Sequence, residues 1–442
     1  LLLQERVPRE RATIEPRPLD GMRTSAPAVT VPVRRYRSPH TIFPHTQFLS
    51  NGNYVASVTN AGGGSSLWRG LAVTRWRHDA TGDAHGQFIY LRDVRSGAVW
   101  SATYQPSRQE PDDYAVTFSA DRASFRRRDD DLSTQLDIAV STEDDVEVRR
   151  LTVRNHGMRI RELDVTSYAE IVLASPASDV AHPAFGKLFI ETEYLPGCVA
   201  LLCHRRPRDP RDPPAWAFHA LSLEGRRQGP VEWETDRARF LGRGHSPADP
   251  VALDGRALSG TTGVVLDPIV SLRERIRLPP GGAIRLCFAT GMASDRATAE
   301  ALAQKYHDPS AMARTFALAV TDAQSSLRHL GISADGALLF ERLASRVLGT
   351  DASFRASAET VAMNELSQAG LWPHGVSGDL PILLVRVIGD DDVPLVRQVL
   401  QAQEYWRLKG LSADVVILNE HPVSYLDEMH AQLTAVLTEG PW

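Results

Sequence analysis

Between about residues 40 and 290 the dominant pattern is alternation with a period of two, and it constrains the fold more than any other feature of the chain. Thr134 to Val140 alternates, and so does Val146-Glu147-Val148-Arg149, which runs on into Leu151-Thr152-Val153. Arg161-Glu162-Leu163-Asp164-Val165-Thr166 does the same, as does the second half of Val270 to Leu278. A strand that alternates has one buried and one wet face, which is the habit of antiparallel sheets. Turn-forming groups separate the runs: Ser50-Asn51-Gly52-Asn53, Asn155-His156-Gly157 and Pro279-Pro280-Gly281-Gly282. That length of pattern exceeds one small sandwich, so residues 40–292 are expected to form one large antiparallel β-sandwich of two sheets.

The flanking segments read differently. Residues 1–39 are rich in Arg, Pro and Glu and suggest an extended lead-in. From Ser294 onward, residues 294–306 and 310–330 are Ala-rich, with Phe316, Val320, Leu327 and Leu330 at helix-compatible spacing. A third helix is expected near 335–348, where Leu339, Leu343 and Val347 stand at i, i+4 and i+8. Ser294 and Ser310 are the expected N-caps. Residues 293–350 thus make a helical linker. In residues 351–442, Leu380 to Ile388 suits a strand buried on both faces. Helix Val393 to Lys409, strand Val415 to Leu418 and helix 423–438 follow. Strand, helix, strand, helix is a small parallel α/β segment. The fold class expected is mainly β: a large antiparallel sandwich, linker helices, then a βαβα segment.

Composition excludes several classes. Of 442 residues, 49 are Lys or Arg and 54 Asp or Glu, giving a net charge of −5, which argues against binding nucleic acid through bulk positive charge. The three cysteines, Cys198, Cys203 and Cys287, are too few for a disulfide scaffold and favour a reducing compartment. No apolar run approaches the ~20 residues of a membrane span, and no basic-then-apolar leader opens the chain. It begins Leu1-Leu2-Leu3-Gln4-Glu5-Arg6 without Met, which suggests a piece of a longer polypeptide.

Several stretches carry candidate chemistry. Asn60-Ala61-Gly62-Gly63-Gly64-Ser65-Ser66 lacks the Lys-Ser/Thr pair and following helix of a phosphate loop. It reads either as a turn between strands or, through Asn60, Gly62, Gly63 and Gly64, as a backbone-lined edge of a sugar or phosphate site. Thr74-Arg75-Trp76-Arg77-His78-Asp79, with Trp68 before it, mixes rings and charges as carbohydrate sites do. Sugar C–H faces stack on rings while hydroxyls bond charged groups, so Trp68, Arg75, Trp76 and Asp79 are candidate sugar contacts, with ordinary packing as the alternative. The acidic runs Asp129-Asp130-Asp131 and Glu143-Asp144-Asp145 lack calcium-loop spacing and read as solvated turns. No metal site is expected, since Cys203-His204 alone is not a zinc site and no His-x-x-x-His occurs. No Gly-x-Ser-x-Gly elbow appears either. In Trp372-Pro373-His374-Gly375-Val376-Ser377-Gly378-Asp379, Ser377 and Asp379 fix a turn, or His374 and Asp379 face a ligand. Asp83, Asp93 and Asp379 are the carboxyls that a self-sufficient glycoside-processing enzyme would draw on, provided two converge roughly 5–9.5 Å apart.

Ten blocks in chain order carry a resemblance. They include Pro44-His45-Thr46-Gln47-Phe48-Leu49-Ser50-Asn51-Gly52, Thr59 to Gly64, Thr74 to Arg77, Tyr90 to Asp93 and Glu143 to Arg150. Thr166 to Glu170, Ala181-His182-Pro183-Ala184-Phe185, Glu234 to Arg243, Val376 to Ile382 and Leu408 to Leu411 complete them. They resemble the phosphorylase-like C-terminal region of cyclic β-1,2-glucan synthases, which is similar to cellobiose and chitobiose phosphorylases. The resemblance implies a very large inner-membrane parent that extends and cyclises glucan from UDP-glucose. It implies a cytoplasmic region that trims linear β-1,2-glucan with inorganic phosphate. The related fold is a large β-sandwich, a helical linker and an (α/α)6 barrel, so the resemblance implies that residues 40–292 are a super-sandwich of a carbohydrate-binding-like kind. The Asp-Trp-Asn-Asp-like motif that carries the family's general acid does not occur here, and Gly64-Ser65-Ser66 lacks an aromatic that relatives often carry. The expectation is therefore a scaffold and glucan-contact segment with no catalytic residue and no cofactor of its own. Its expected partners are β-1,2-glucan and the remaining domains of the parent. A free-standing binding module or a homodimerising module remains the alternative.

Overall fold

The computed structural model describes residues 33–440, apart from 78, 80, 210, 211, 213, 350, 351 and 423–427. Residues 1–32 of the expected lead-in, and His78, lie outside the described residues. Two large sheets dominate. One has ten strands in the order Arg34–Tyr36, Asp113–Ser119, Arg122–Asp129, Leu132–Val140, Val146–Asn155, Ala283–Ala293, Ala215–Glu224, Ala200–Arg205, Ile190–Leu195, Gly263–Val264. The other runs Glu232–Asp236, Pro268–Leu278, Arg161–Ala174, Leu71–Thr74, Gly64–Trp68, Tyr54–Thr59, Thr46–Ser50, with Phe88–Asp93 and Val99–Ser101 branching from Arg161–Ala174. The pairings within both sheets are antiparallel, as in Leu136 opposite Leu151 and Val165 opposite Glu274. Arg34–Tyr36, expected within the lead-in, is instead an edge strand paired with Val116–Phe118.

Alternating residues meet between the sheets. Tyr54, Val73 and Leu91 from one sheet pack with Val116, Phe125, Leu136 and Leu151 from the other. The alternation fails where both faces are covered. Arg161–Ala174 is buried from Leu163 onward because Phe240, Leu241 and Leu253 close over Tyr90 and Tyr168 on its outer side. All three expected turns join consecutive strands: Ser50–Asn53 closes a hairpin, whereas Asn155–Gly157 and Pro279–Gly282 carry the chain from one sheet to the other. Asn51 Nδ2 ties the first of them to the opposite sheet through the carbonyls of Ser141 and Asp144, each at 2.9 Å. A polar chain also crosses the interior. Ser167 and Thr290 hold the two nitrogens of His219 at 2.8 and 2.9 Å, Thr290 donates to Gln87, and Gln87 and Ser66 donate to Glu147. Burial, helped by Arg149, lowers His219 to about 3, so it stays a neutral structural ring.

Three helices follow: Arg296–His307, Pro309–His329 and Ala334–Leu348. Their N-caps are Asp295, Asp308 and Ser333; Ser294 and Ser310, expected to cap, do not, since Ser294 lies one residue before the cap Asp295 and Ser310 lies inside the first turn, where its backbone N–H donates to the cap Asp308. Ala299, Ala303, Tyr306, Met312 and Phe316 cover the outer face of the ten-stranded sheet. Glu143-Asp144-Asp145, read as a solvated turn, is an anchor for these helices. Asp144 accepts from Lys305 and Tyr306, Glu143 from Arg314, and Asp145 from Trp68.

The α/β segment has a parallel pair, Ile382–Val387 with Asp414–Asn419, and helices Val393–Leu408 and Glu428–Glu439. The first strand is not buried on both faces. Val385 and Val387 face the helices, whereas Ile382 is 41% and Leu384 54% exposed, because a two-stranded sheet with both helices on one side leaves the other bare. Val393–Leu408 also packs Ala402, Tyr405 and Trp406 against Phe340, Phe48 and Val55, fixing this segment to the outer face of the second sheet.

Candidate functional site

One cavity of about 300 Å³ opens where the second sheet, the end of the Ala334–Leu348 helix and the Gly410–Leu411 turn meet. Its apolar side is Phe48, Val55, Leu67, Leu348 and Leu411, with the Trp76 ring. Its polar side comes from the facing strand pair, Ser57 opposite Ser65, and from Thr59 and the loop that carries Arg77, Asp79, Asp83 and His85.

The glycine loop makes this wall possible. The His85 carbonyl accepts from Gly64 N at 2.8 Å, so the two loops are laced together. A methyl group on Gly63 would overlap the Asp83 carboxyl, and one on Gly64 would overlap the Ser57 carbonyl. Gly62 lies as close to Thr103. Asn60 is buried: its Oδ1 accepts from His45 N at 2.9 Å and its Nδ2 reaches the Ser38 and Pro39 carbonyls. Asn60, Gly62 and Gly63 therefore shape the loop, while Gly64 lines the cavity.

Arg75 roots the second loop. It donates to Glu170 at 2.5 Å and to both oxygens of Asp179, and Glu170 also accepts from Arg237 at 2.6 Å. Burial works against the Glu170 charge, but Arg237 and Arg75 outweigh it and hold the carboxyl at about 2. Arg77 pairs with Asp179 at 2.5 Å, leaving Trp76 between them on the surface, 45% exposed. Burial lowers the His85 ring below its ordinary range; Glu170 works against this and Arg77, Arg75 and Arg237 add to it. Asp83 is held differently. Burial raises its carboxyl to about 6, and the Thr59 hydroxyl that donates to it only partly offsets this.

The sequence candidates thus divide. Trp76, Asp79, Asp83 and Gly64 come together in the cavity. Trp68 does not: it is 4% exposed in the intersheet core, with Nε1 bonded to Asp145 at 2.7 Å, so it has no ring face to offer. Arg75 is an internal counter-ion, not a ligand contact. Asp93 closes the turn before Ala98, accepting from the backbone of Arg95 and Ser96 and pairing with Arg161 at 2.9 Å. His374 ends the Gln368–His374 turn and Asp379 lies in the loop after it, both exposed; Gln368 donates to Asp379 and Ser377 accepts from Asp379 N, which is the turn-forming alternative. Thr59, Ser57, Ser65 and His85 were not anticipated. Paired serines on a strand face that should be apolar or charged were the available signal.

The supersandwich domain model of glycosyl hydrolase 94 matches residues 30–309. The chain belongs to the glycosyl hydrolase 94 family. Over its whole length it is 37% identical to the cyclic beta-(1,2)-glucan synthase NdvB of Rhizobium meliloti strain 1021, of which it spans 16%. It is also 23% identical to the N,N'-diacetylchitobiose phosphorylase of Vibrio proteolyticus and 22% identical to the solabiose phosphorylase of Paenibacillus borealis. These matches cover 63% and 62% of this chain and 34% and 35% of those proteins. The strands from Arg34 to Ala293 fall within the matched supersandwich, and the first linker helix ends at its edge. Among the described residues no helix is long and apolar enough to cross a membrane.

Proposed function

We propose that this chain is the supersandwich, linker and adjoining α/β segment of the phosphorylase-like region of a cyclic β-1,2-glucan synthase. In this reading it scaffolds that region and contacts glucan through the cavity beside Trp76. The full-length likeness to NdvB and the shorter likenesses to disaccharide phosphorylases support the parent. The observation that carries the glucan contact is the cavity itself. One half-exposed indole, two carboxylates and a row of hydroxyls line the same cavity, the mix that holds a pyranose by stacking and hydrogen bonds.

The general acid and the phosphate-holding groups are assigned to other parts of the parent, because no Asp-Trp-Asn-Asp-like motif occurs in the 442 residues. Trimming of linear β-1,2-glucan, use of UDP-glucose and phosphate, and a place on the cytoplasmic face of the inner membrane belong to the parent in this reading.

Titration calorimetry of the chain with linear β-1,2-glucan tests it. Heat of binding in wild type that is lost in Trp76→Ala is expected; no heat in wild type overturns the glucan contact. Release of glucose 1-phosphate by the chain alone, given glucan and phosphate, would overturn the scaffold role in favour of a self-sufficient enzyme.

A further inference from the structure

Asp83 stands out within the cavity. A carboxylate has about four acceptor positions, yet among the described residues Thr59 Oγ1 is the hydrogen-bond donor to this one. Among the described residues no guanidinium or ammonium pairs with it, unlike Glu170 on the strand Arg161–Ala174 and Asp179 in the turn of helix after it, which pair with Arg75 and Arg77. It is held against the glycine loop, where any side chain at Gly63 would displace it. The fold thus keeps a partly buried acceptor, short of donors, in a cavity wall.

Resting on the glucan-contact reading above, we propose that Asp83 is the polar anchor of the cavity: its carboxylate takes hydroxyl donors from a pyranose seated against Trp76. A polyol brings the donors that the surrounding protein withholds, and it carries no charge that would demand a counter-ion. An anionic sugar is disfavoured by the same group.

Proton linkage follows. The groups facing Asp83 are few. Arg77, Asp79 and His85 lie on its own loop, Thr59 lies on the neighbouring strand, and Tyr114 is near enough to feel its charge. The helix end and turn opposite contribute Leu348, Gly349, Gly410 and Leu411, none of them titratable. Asp83, raised to about 6, changes charge there; His85, lowered by burial, is the other group of this loop that loses charge below neutrality, and the Asp83→Asn profile separates the two. Hydroxyl donors favour the anion, so binding lowers its proton affinity and releases protons near that pH. Affinity is full above it and is lost as pH falls through it.

The experiment titrates the chain with short linear β-1,2-glucan at about pH 7.5 and about pH 5. Wild type should bind at least about fivefold more weakly at the lower pH, and Asp83→Asn about tenfold more weakly than wild type at the higher pH, with a flat pH profile. Wild-type titrations near pH 6 in two buffers of different ionisation enthalpy should also show net proton release, a readout that needs no variant. Wild-type binding without proton release, or an Asp83→Asn profile that copies wild type, overturns the anchor and leaves the glucan contact standing. No binding in wild type at either pH overturns both.

Discussion

The Tyr405 phenol donates to Glu341 Oε1 across 2.9 Å, joining the Val393–Leu408 helix to the Ala334–Leu348 helix. Arg34, on the edge strand, stands 3.6 Å from the other carboxyl oxygen. Sandwich, linker and α/β segment therefore meet at one buried carboxylate, next to the Phe48 and Val55 side of the cavity. Removing the carboxylate leaves the buried Arg34 guanidinium with the Thr46 carbonyl and the Gln47 side chain but without its counter-ion, so Glu341→Ala should cost about 3 kcal/mol. Tyr405→Phe leaves the charge pair in place and should cost only about 1 kcal/mol. Urea unfolding midpoints at a constant slope check both; equal costs would mean that the ion pair does not hold the junction.

The Arg75 cluster makes a prediction with a defined pH window. Arg75 is buried between Glu170 and Asp179, and its replacement by Met should cost about 3–5 kcal/mol, since two buried carboxylates lose their counter-ion. Glu170 sits at about 2, below its ordinary 4.5, so it contributes stability that is present above about pH 4.5 and is lost as pH falls towards 2. That contribution is up to about 3 kcal/mol. Glu170→Gln should flatten the acid limb of a stability-against-pH curve while lowering stability at neutral pH. An unchanged acid limb would assign acid unfolding to other carboxylates.

The two tryptophans should separate stability from binding. Trp68 is enclosed and bonded to Asp145, so Trp68→Phe should lower stability by about 1–3 kcal/mol, and glucan affinity should change only through that loss. Trp76 is 45% exposed, so Trp76→Ala should cost no more than about 1 kcal/mol of stability and remove most of the binding heat. Thermal unfolding and calorimetry on the same two proteins give the comparison; a stable Trp76→Ala that binds normally would remove the indole from the site.

What was legible in the sequence depended on whether a local rule was left undisturbed. The antiparallel sandwich, its turns and all three linker helices follow from periodicity, because each strand or helix has one face to bury. Leu380 to Ile388 misled because a run of apolar residues reports hydrophobicity and not how many layers cover it. Trp68 and Trp76, eight residues apart with similar surroundings, could not be told apart by type. Burial of the first is decided by Asp145, 77 positions away. The glycine loop was recognised, but its meaning lies in the later loop packed upon it, and Asp83 became distinct from Asp93 only when its missing partners could be seen.

Those missing partners carry a stability cost that can be measured without any ligand. Asp83 titrates at about 6, above the ordinary 3.8, so the folded protein holds its proton more tightly than the unfolded chain does. For such a group the contribution to stability is fully present below about pH 3.8 and is lost as pH rises through about 6; above that, the ionised carboxylate opposes folding. Discounted for its partial exposure, the cost at neutral pH is about 1–2 kcal/mol. Asn keeps an acceptor for Thr59 and has no charge to desolvate. Asp83→Asn should therefore be more stable than wild type by about that amount near pH 7.5, with the gain shrinking towards pH 4. Urea unfolding at the two pH values measures it. A variant less stable than wild type at pH 7.5 would mean that the carboxylate is well solvated where it stands, and would take away the reason to expect a hydroxyl ligand there.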